Sequence, residues 1–141
     1  MRKVILLALI CMSVIACDKK DAAVPQNEVQ SASIPYRKAA TMSIAGADLK
    51  VDVREIVDTR CPKDVLCITL GDVKINFNIS DGANQTDLDF TVKGDKKADF
   101  QVFKLGDKEF ILRVSEVSPY PISNLAPKLE DYKVDLSIER K

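Results

Sequence analysis

Ten consecutive residues, Asp58-Thr59-Arg60-Cys61-Pro62-Lys63-Asp64-Val65-Leu66-Cys67, gather two thiols, a guanidinium, an ammonium and two carboxylates. Two cysteines so close can close a disulfide, stay as free thiols or begin a metal site. The metal option needs two further good ligands, and a chain without histidine could supply only carboxylates or carbonyls. Arg60 and Lys63, with Asp58, are the candidate recognition residues if the loop is a rigid contact edge, since scaffolds carry function on such loops. The competing structural reading has Asp58 capping a turn and Arg60 paired with a neighbouring carboxylate.

The remaining carboxylates are weaker candidates. Asp87 and Asp89 share one face of a period-two segment and could hold a cation or do acid–base work. A solvated strand face explains them equally simply, and with Asp81 they match no calcium-loop spacing. The lack of histidine excludes Ser-His and Cys-His nucleophiles, and no glycine-rich phosphate loop is present. No catalytic residue, metal or cofactor is therefore assigned, and the chain is not expected to be an enzyme.

The first residues say where this chemistry would operate. Met1-Arg2-Lys3 precedes an apolar run, Val4–Ala16, roughly 20 Å long as a helix. That is too short for a membrane core of about 30 Å, and it fits a signal-peptide apolar region with small Ala16 at the cleavage position. Val14-Ile15-Ala16-Cys17 resembles the lipobox of bacterial lipoproteins. The resemblance implies that Cys17 receives diacylglycerol on sulfur, becomes the N-terminus and is acylated there as well, with palmitate-type chains. Each buried CH₂ contributes about 0.8 kcal/mol, so two or three chains hold firmly where one does not. The expected localisation is the bacterial cell envelope, lipid-anchored to a membrane, on the periplasmic side or exposed at the surface. In an exported protein the even pair Cys61 and Cys67 reads as a disulfide, which in so short a loop stabilises by roughly 2–2.5 kcal/mol.

The whole chain balances 21 basic against 21 acidic residues. Loss of the signal removes Arg2 and Lys3, leaving 19 against 21. No basic surface points to nucleic acid or to anionic lipid. Residues 17–38, charged at Asp18–Asp21 and then rich in Ala, Ser, Gln, Asn and Pro, have a disordered composition. As a flexible tether such a stretch reaches roughly 25 Å. Residues 39–141 then make one domain, behind a signal over 1–16.

The elements that must position the loop are strands. Leu49, Val51 and Val53 alternate with polar neighbours, then the phase breaks at Arg54-Glu55, the mark of a bulge. Val73–Ile79, Leu88–Val92 and Tyr132–Ile138 alternate in the same way. Asp81-Gly82 and Gly94-Asp95 signal loops, and Gly106-Asp107 signals a type II′ hairpin that sets Phe103 opposite Phe110 and Lys104 opposite Glu109. Val102 and Ile111 fall on the other face of that hairpin, where an exposed apolar patch would be a candidate partner surface. Pro119-Tyr120-Pro121 ends the arm, because proline cannot donate to a ladder. Single helical turns are expected at most near Lys63–Leu66 and Asn124–Lys128. The fold class is all-β, an antiparallel β-sandwich of about seven strands, with a small β-barrel as the alternative.

The loop itself resembles a motif of small exported bacterial proteins: Asp-Ser-Arg-Cys-Pro, a spacer, Cys, then an aliphatic-Trp-Ala-Gly strand start. Asp58, Arg60, Cys61, Pro62, Val65, Cys67, Ile68 and Gly71 match, Thr59 stands for the serine, and Thr69-Leu70 stand for Trp-Ala. Val117–Pro121 and the last strand are also similar. The resemblance implies a β-rich lipoprotein domain and carries no activity with it. The expected function is a lipid-anchored, non-enzymatic binding or structural module of the envelope. Its expected partners are the membrane, through Cys17, and an envelope protein or glycan. An inhibitor that protects against an envelope-directed enzyme is the alternative, and a carboxylate-based glycan hydrolase stands behind both.

Overall fold

A computed structural model describes residues 28–96 and 98–141. The lipobox cysteine and the signal lie outside the described residues. Alternating burial builds eight strands: β1 Val29–Pro35, β2 Ala39–Ile44, β3 Ala47–Asp58, β4 Asp72–Ser80, β5 Gln85–Lys93, β6 Asp99–Leu105, β7 Lys108–Ser118 and β8 Lys133–Arg140. They form two four-stranded antiparallel sheets, in the orders β1-β8-β7-β6 and β2-β3-β4-β5. The fold is a β-sandwich. The chain meanders through one sheet and then the other, and β8 returns to pair with β1. This is the path of an up-and-down barrel, but among the described residues no ladder joins β1 to β2 or β5 to β6, so the barrel alternative fails.

The inward residues of every strand form one core. Val51, Val53, Val73, Ile75, Phe77 and Ile79 from one sheet face Ile34, Phe110, Leu112, Val114, Val134, Leu136 and Ile138 from the other. The bulge anticipated at Arg54-Glu55 is present, as a register shift between Val53 and Glu55. A second, unanticipated one lies between Val114 and Glu116. Gly106 has φ +60° while Asp107 stays at negative φ, which gives the type II′ turn. Phe103 stacks on Phe110 with ring centroids 5.5 Å apart, in the anticipated register.

One boundary needs correction. The composition of residues 17–38 predicts a tether, yet residues 29–35 form β1, which pairs along its whole length with β8. Only Ile34 of this strand is a large buried aliphatic. Gln30, Ser31, Ala32 and Ser33 leave no period for a local test to detect, and an edge strand tolerates Pro35 at its end. The domain therefore begins before residue 39, and β1 is the eighth strand of a sandwich expected to have about seven.

The strand directions give the sandwich two unlike ends. At one end sit the turns Ala45-Gly46, Asp81–Asn84 and Gly106-Asp107, and the chain enters β1 there. Ala45 N–H donates to the Glu28 carboxylate across 2.8 Å, which ties this entry to the first hairpin. The connections 59–71 and 119–132 and the turn at 94–96 occupy the other end.

The braced loop end as candidate functional site

Asp58 is the last residue of β3, and its carboxylate organises the loop end. Arg60 donates from Nε to Asp58 Oδ1 at 2.9 Å and from Nη2 to Oδ2 at 2.6 Å. The Arg60 backbone N–H donates to Oδ1 as well, closing a turn. The Tyr132 hydroxyl donates to Oδ2 at 2.9 Å. Arg60 also donates from Nη1 to the Val117 carbonyl and from Nη2 to the Pro119 carbonyl, and its guanidinium lies 4.4 Å from the centroid of the Tyr120 ring. Only 5% of the Asp58 side chain and 7% of the Arg60 side chain reach solvent. Both charges are thus removed from water, paired, and hydrogen-bonded on their free edges, the condition under which a buried pair is tolerated. Burial, helped by the Asp58 carboxylate, pushes the Tyr132 phenol up to about 12.

This cluster decides between the two readings of the candidate residues. Asp58 and Arg60 act as the structural reading describes, joining the start of the loop to the 117–120 segment and to the head of β8. Their side chains face inward and are not available as a contact edge. Lys63 is exposed, and its backbone N–H donates to Pro121 O. The adjoining Asp64 carboxylate accepts from the Ser123 backbone N–H at 2.8 Å and from the Ser123 hydroxyl. Those bonds hold the exposed Asp64 carboxyl below the usual carboxylate range.

Beyond Arg60 the loop continues the β3–β4 pair past the end of the sheet. Thr59 N–H donates to Asp72 O, and Cys61 N–H donates to Leu70 O. Cys61 and Cys67 are joined by a disulfide, with Cα atoms 5.9 Å apart. Val65 N–H closes a turn on Pro62 O. β4 begins only at Asp72, after the Ile68–Gly71 stretch that the motif suggested as the strand start. Gly71 makes the return with φ +67°; a Cβ there would lie 1.9 Å from Thr59 O, so no other residue fits. Its carbonyl accepts from Gly94 N–H, which binds the 94–96 connection to the loop.

The braced structure leaves aliphatic side chains in water. Leu66 and Ile68, on either side of Cys67, have relative accessibilities of 104% and 105%. Val65 and Leu70 are exposed too, as are Ile122, Leu125 and Leu129 on the neighbouring crossover. Sequence reasoning missed this tip. Its signal was legible: the run Val65-Leu66-Cys67-Ile68 sits in and beside a ring too small to enclose its own side chains. Two clefts lie at this end of the sandwich. One, of ≈ 550 Å³, is lined by Arg60, Val92, Lys96, Val117 and Tyr120. The other, of ≈ 370 Å³, is lined by Ile56, Pro62, Pro121, Ala126, Leu129 and Tyr132.

The other candidates do not join this site. Asp81 stands in the hairpin at the opposite end and accepts from the backbone of Ala83 and Asn84, bonds that hold its exposed carboxyl low. Asp87 and Asp89 accept from the side-chain amides of Asn78 and Asn76 across the β4–β5 ladder. On the outer face of the β6–β7 hairpin, Val102 is exposed, Ile111 is half-buried and Phe100 is exposed beneath Arg113, which pairs with Glu139 at 2.9 Å. The Arg113–Glu139 pair interrupts this patch with charge. No family model, curated protein sequence or solved structure matches the chain.

Proposed function

We propose that the chain is a lipid-anchored envelope module that acts by binding: Cys17 holds it to a membrane, and the braced loop end is the pole it presents. The observation that carries this reading is the polarity of the sandwich. The described chain enters at the hairpin end, and the disulfide loop with its bare aliphatic residues lies at the other, separated by roughly the length of β3, about 35–40 Å. An anchor on the entering segment and a contact surface at the far end suit a presenting module. The chemistry of the loop end supports binding over turnover, because its buried ionisable groups are satisfied by each other.

A protective inhibitor is the second reading, favoured by the same loop. A protruding segment held by a covalent bridge and backbone bonds loses little freedom when it docks. Detergent-phase partitioning tests the anchor: the wild-type protein enters the detergent phase and Cys17→Ser stays in the aqueous phase. Equal partitioning of the two would overturn the lipid-anchor reading. Addition of the protein to envelope hydrolases separates inhibitor from passive binder by whether their rates fall.

A further inference from the structure

We infer that the Cys61–Cys67 bond is a redox latch: it alone orders the tip 66–69, and a dithiol opens it while the sandwich stays folded. All four tip residues are exposed, Leu66 and Ile68 fully so. Among the described residues, no backbone hydrogen bond of the turns and loops involves any of the four. The chain on either side is held in other ways. Lys63 N–H donates to Pro121 O, Ser123 N–H donates to the Asp64 carboxylate, Val65 N–H donates to Pro62 O, and Leu70 O accepts from Cys61 N–H. None of these bonds needs the bridge. With neither burial nor backbone bonding to fix it, the tip is held at Cys67 and there only.

The reductant is a dithiol, the chemistry of the Cys-x-x-Cys pair of a thiol–disulfide oxidoreductase, and it balances the exchange by itself. Its thiolate is the nucleophile. The thiolate attacks the sulfur of exposed Cys67, the S–S bond breaks, and Cys61 leaves as a thiolate that takes a proton from water. The second thiol of the reagent loses its proton to water and displaces Cys67 from the mixed disulfide, and Cys67 is protonated in turn. The protein gains two thiols and the reagent becomes a cyclic disulfide. Cys61 is already placed for the product. Its Sγ lies 3.5 Å from Pro62 O and 3.6 Å from Val65 O. A bridged sulfur carries no hydrogen, so it donates to neither carbonyl in the oxidised protein. The reduced S–H finds both as acceptors without moving. Cys61 therefore stays in place while Cys67 leaves with the tip. A mobile tip must be ordered when it docks and a fixed one is not, so the state of the bond sets the strength of any contact that Leu66 and Ile68 make. The inference goes beyond the binding-module reading and does not rest on the anchor.

The test uses the full chain, purified from its own cells in detergent micelles, before and after treatment with dithiothreitol. Amide order parameters are the readout. Residues 66–69 should stand at about 0.85 in the oxidised chain and fall below about 0.6 on reduction, with the values in the eight strands unchanged. Glutathione disulfide should restore the oxidised values, and Cys67→Ser should show the mobile tip with no reductant present. The rate at which dithiothreitol opens the bond should not change with urea below the unfolding transition, because no unfolding is needed. A bond reached only through the unfolded chain would open faster with each addition of urea. That dependence, or a loss of order throughout the strands, would overturn the latch by making the bond part of the fold. Order parameters at 66–69 that stay high after reduction, or that are already low before it, would overturn it by showing that the bond does not hold the tip. Partitioning into the detergent phase should be the same in both redox states, so the anchor stands or falls on its own test.

Discussion

The two ends of the sandwich solve the same problem by different means. At the hairpin end the chain reverses in two to four residues, and local backbone conformation does the work: positive φ at Ala45, Gly46, Gly82 and Gly106. At the loop end two of the connections, 59–71 and 119–132, run over a dozen residues or more, and tertiary braces are added to local preference. A disulfide, a buried ion pair, an arginine over a tyrosine ring and a phenol on a carboxylate hold 59–71 and 119–132 together. Short turns leave no side chains to spare. Long braced connections can hold aliphatic residues away from the core, and this end does so at Leu66, Ile68, Leu125 and Leu129.

The sharpest way to break this contrast is Arg60→Met. It strands the Asp58 carboxylate in a buried site with only the Tyr132 hydroxyl and one backbone N–H as partners, and should cost about 3–5 kcal/mol in denaturant unfolding. Asp58→Leu with Arg60→Met should cost less than Arg60→Met alone, because no charge is then left unpaired. Amide exchange should rise over 59–71 and 119–132 and stay slow in the hairpins; a uniform rise would show that the ends are not separately held.

Replacing Cys61 and Cys67 together by alanine should lower stability by roughly 2 kcal/mol. Intact mass should show the wild-type protein about 2 Da lighter than its reduced form, the two hydrogens lost on forming one disulfide. Freely alkylatable thiols in protein purified without reductant would contradict the bridge.

At the other end, Gly106→Val puts a β-branched residue at φ +60° and a Cβ 2.8 Å from the Asn84 amide nitrogen. The strain should cost about 1–2 kcal/mol. Asn84 can move aside, so the loss should come from the backbone and should not be rescued by Asn84→Gly.

The smallest effect is in the pH profile. The Tyr132 phenol is raised from 10.0 to about 12, so the neutral form is the one the fold favours. Its contribution is complete below pH 10 and is lost as pH climbs towards 12. Stability of the wild-type protein should therefore fall across that window, and Tyr132→Phe, although less stable at neutral pH, should fall less steeply. Identical alkaline slopes would show that the Tyr132–Asp58 bond does not hold the loop end.

What could be read from the sequence is what short range determines. Alternation over three or more large residues marks a half-buried strand, and Leu49–Val53, Val73–Ile79, Leu88–Val92 and Val134–Ile138 were legible on that ground. Gly106-Asp107 set the Phe103–Phe110 register because a two-residue turn leaves the strands no freedom to slip. The cysteine pair at 61 and 67 was legible by number, given the export that residues 1–17 lead one to expect. β1 was hidden, since its small and polar residues become a strand only by pairing with β8, about a hundred residues away. The Ala45-Gly46 turn was hidden because alanine at positive φ is not a turn signal. The role of Arg60 was also beyond local reading. Its carbonyl acceptors lie 57 and 59 residues along the chain, and Tyr132 reaches Asp58 across 74. Contacts at such separations leave no periodic trace in composition. They arise when the two sheets pack and the loop end closes over Asp58, and that packing also decided which aliphatic residues were buried and which were left in water.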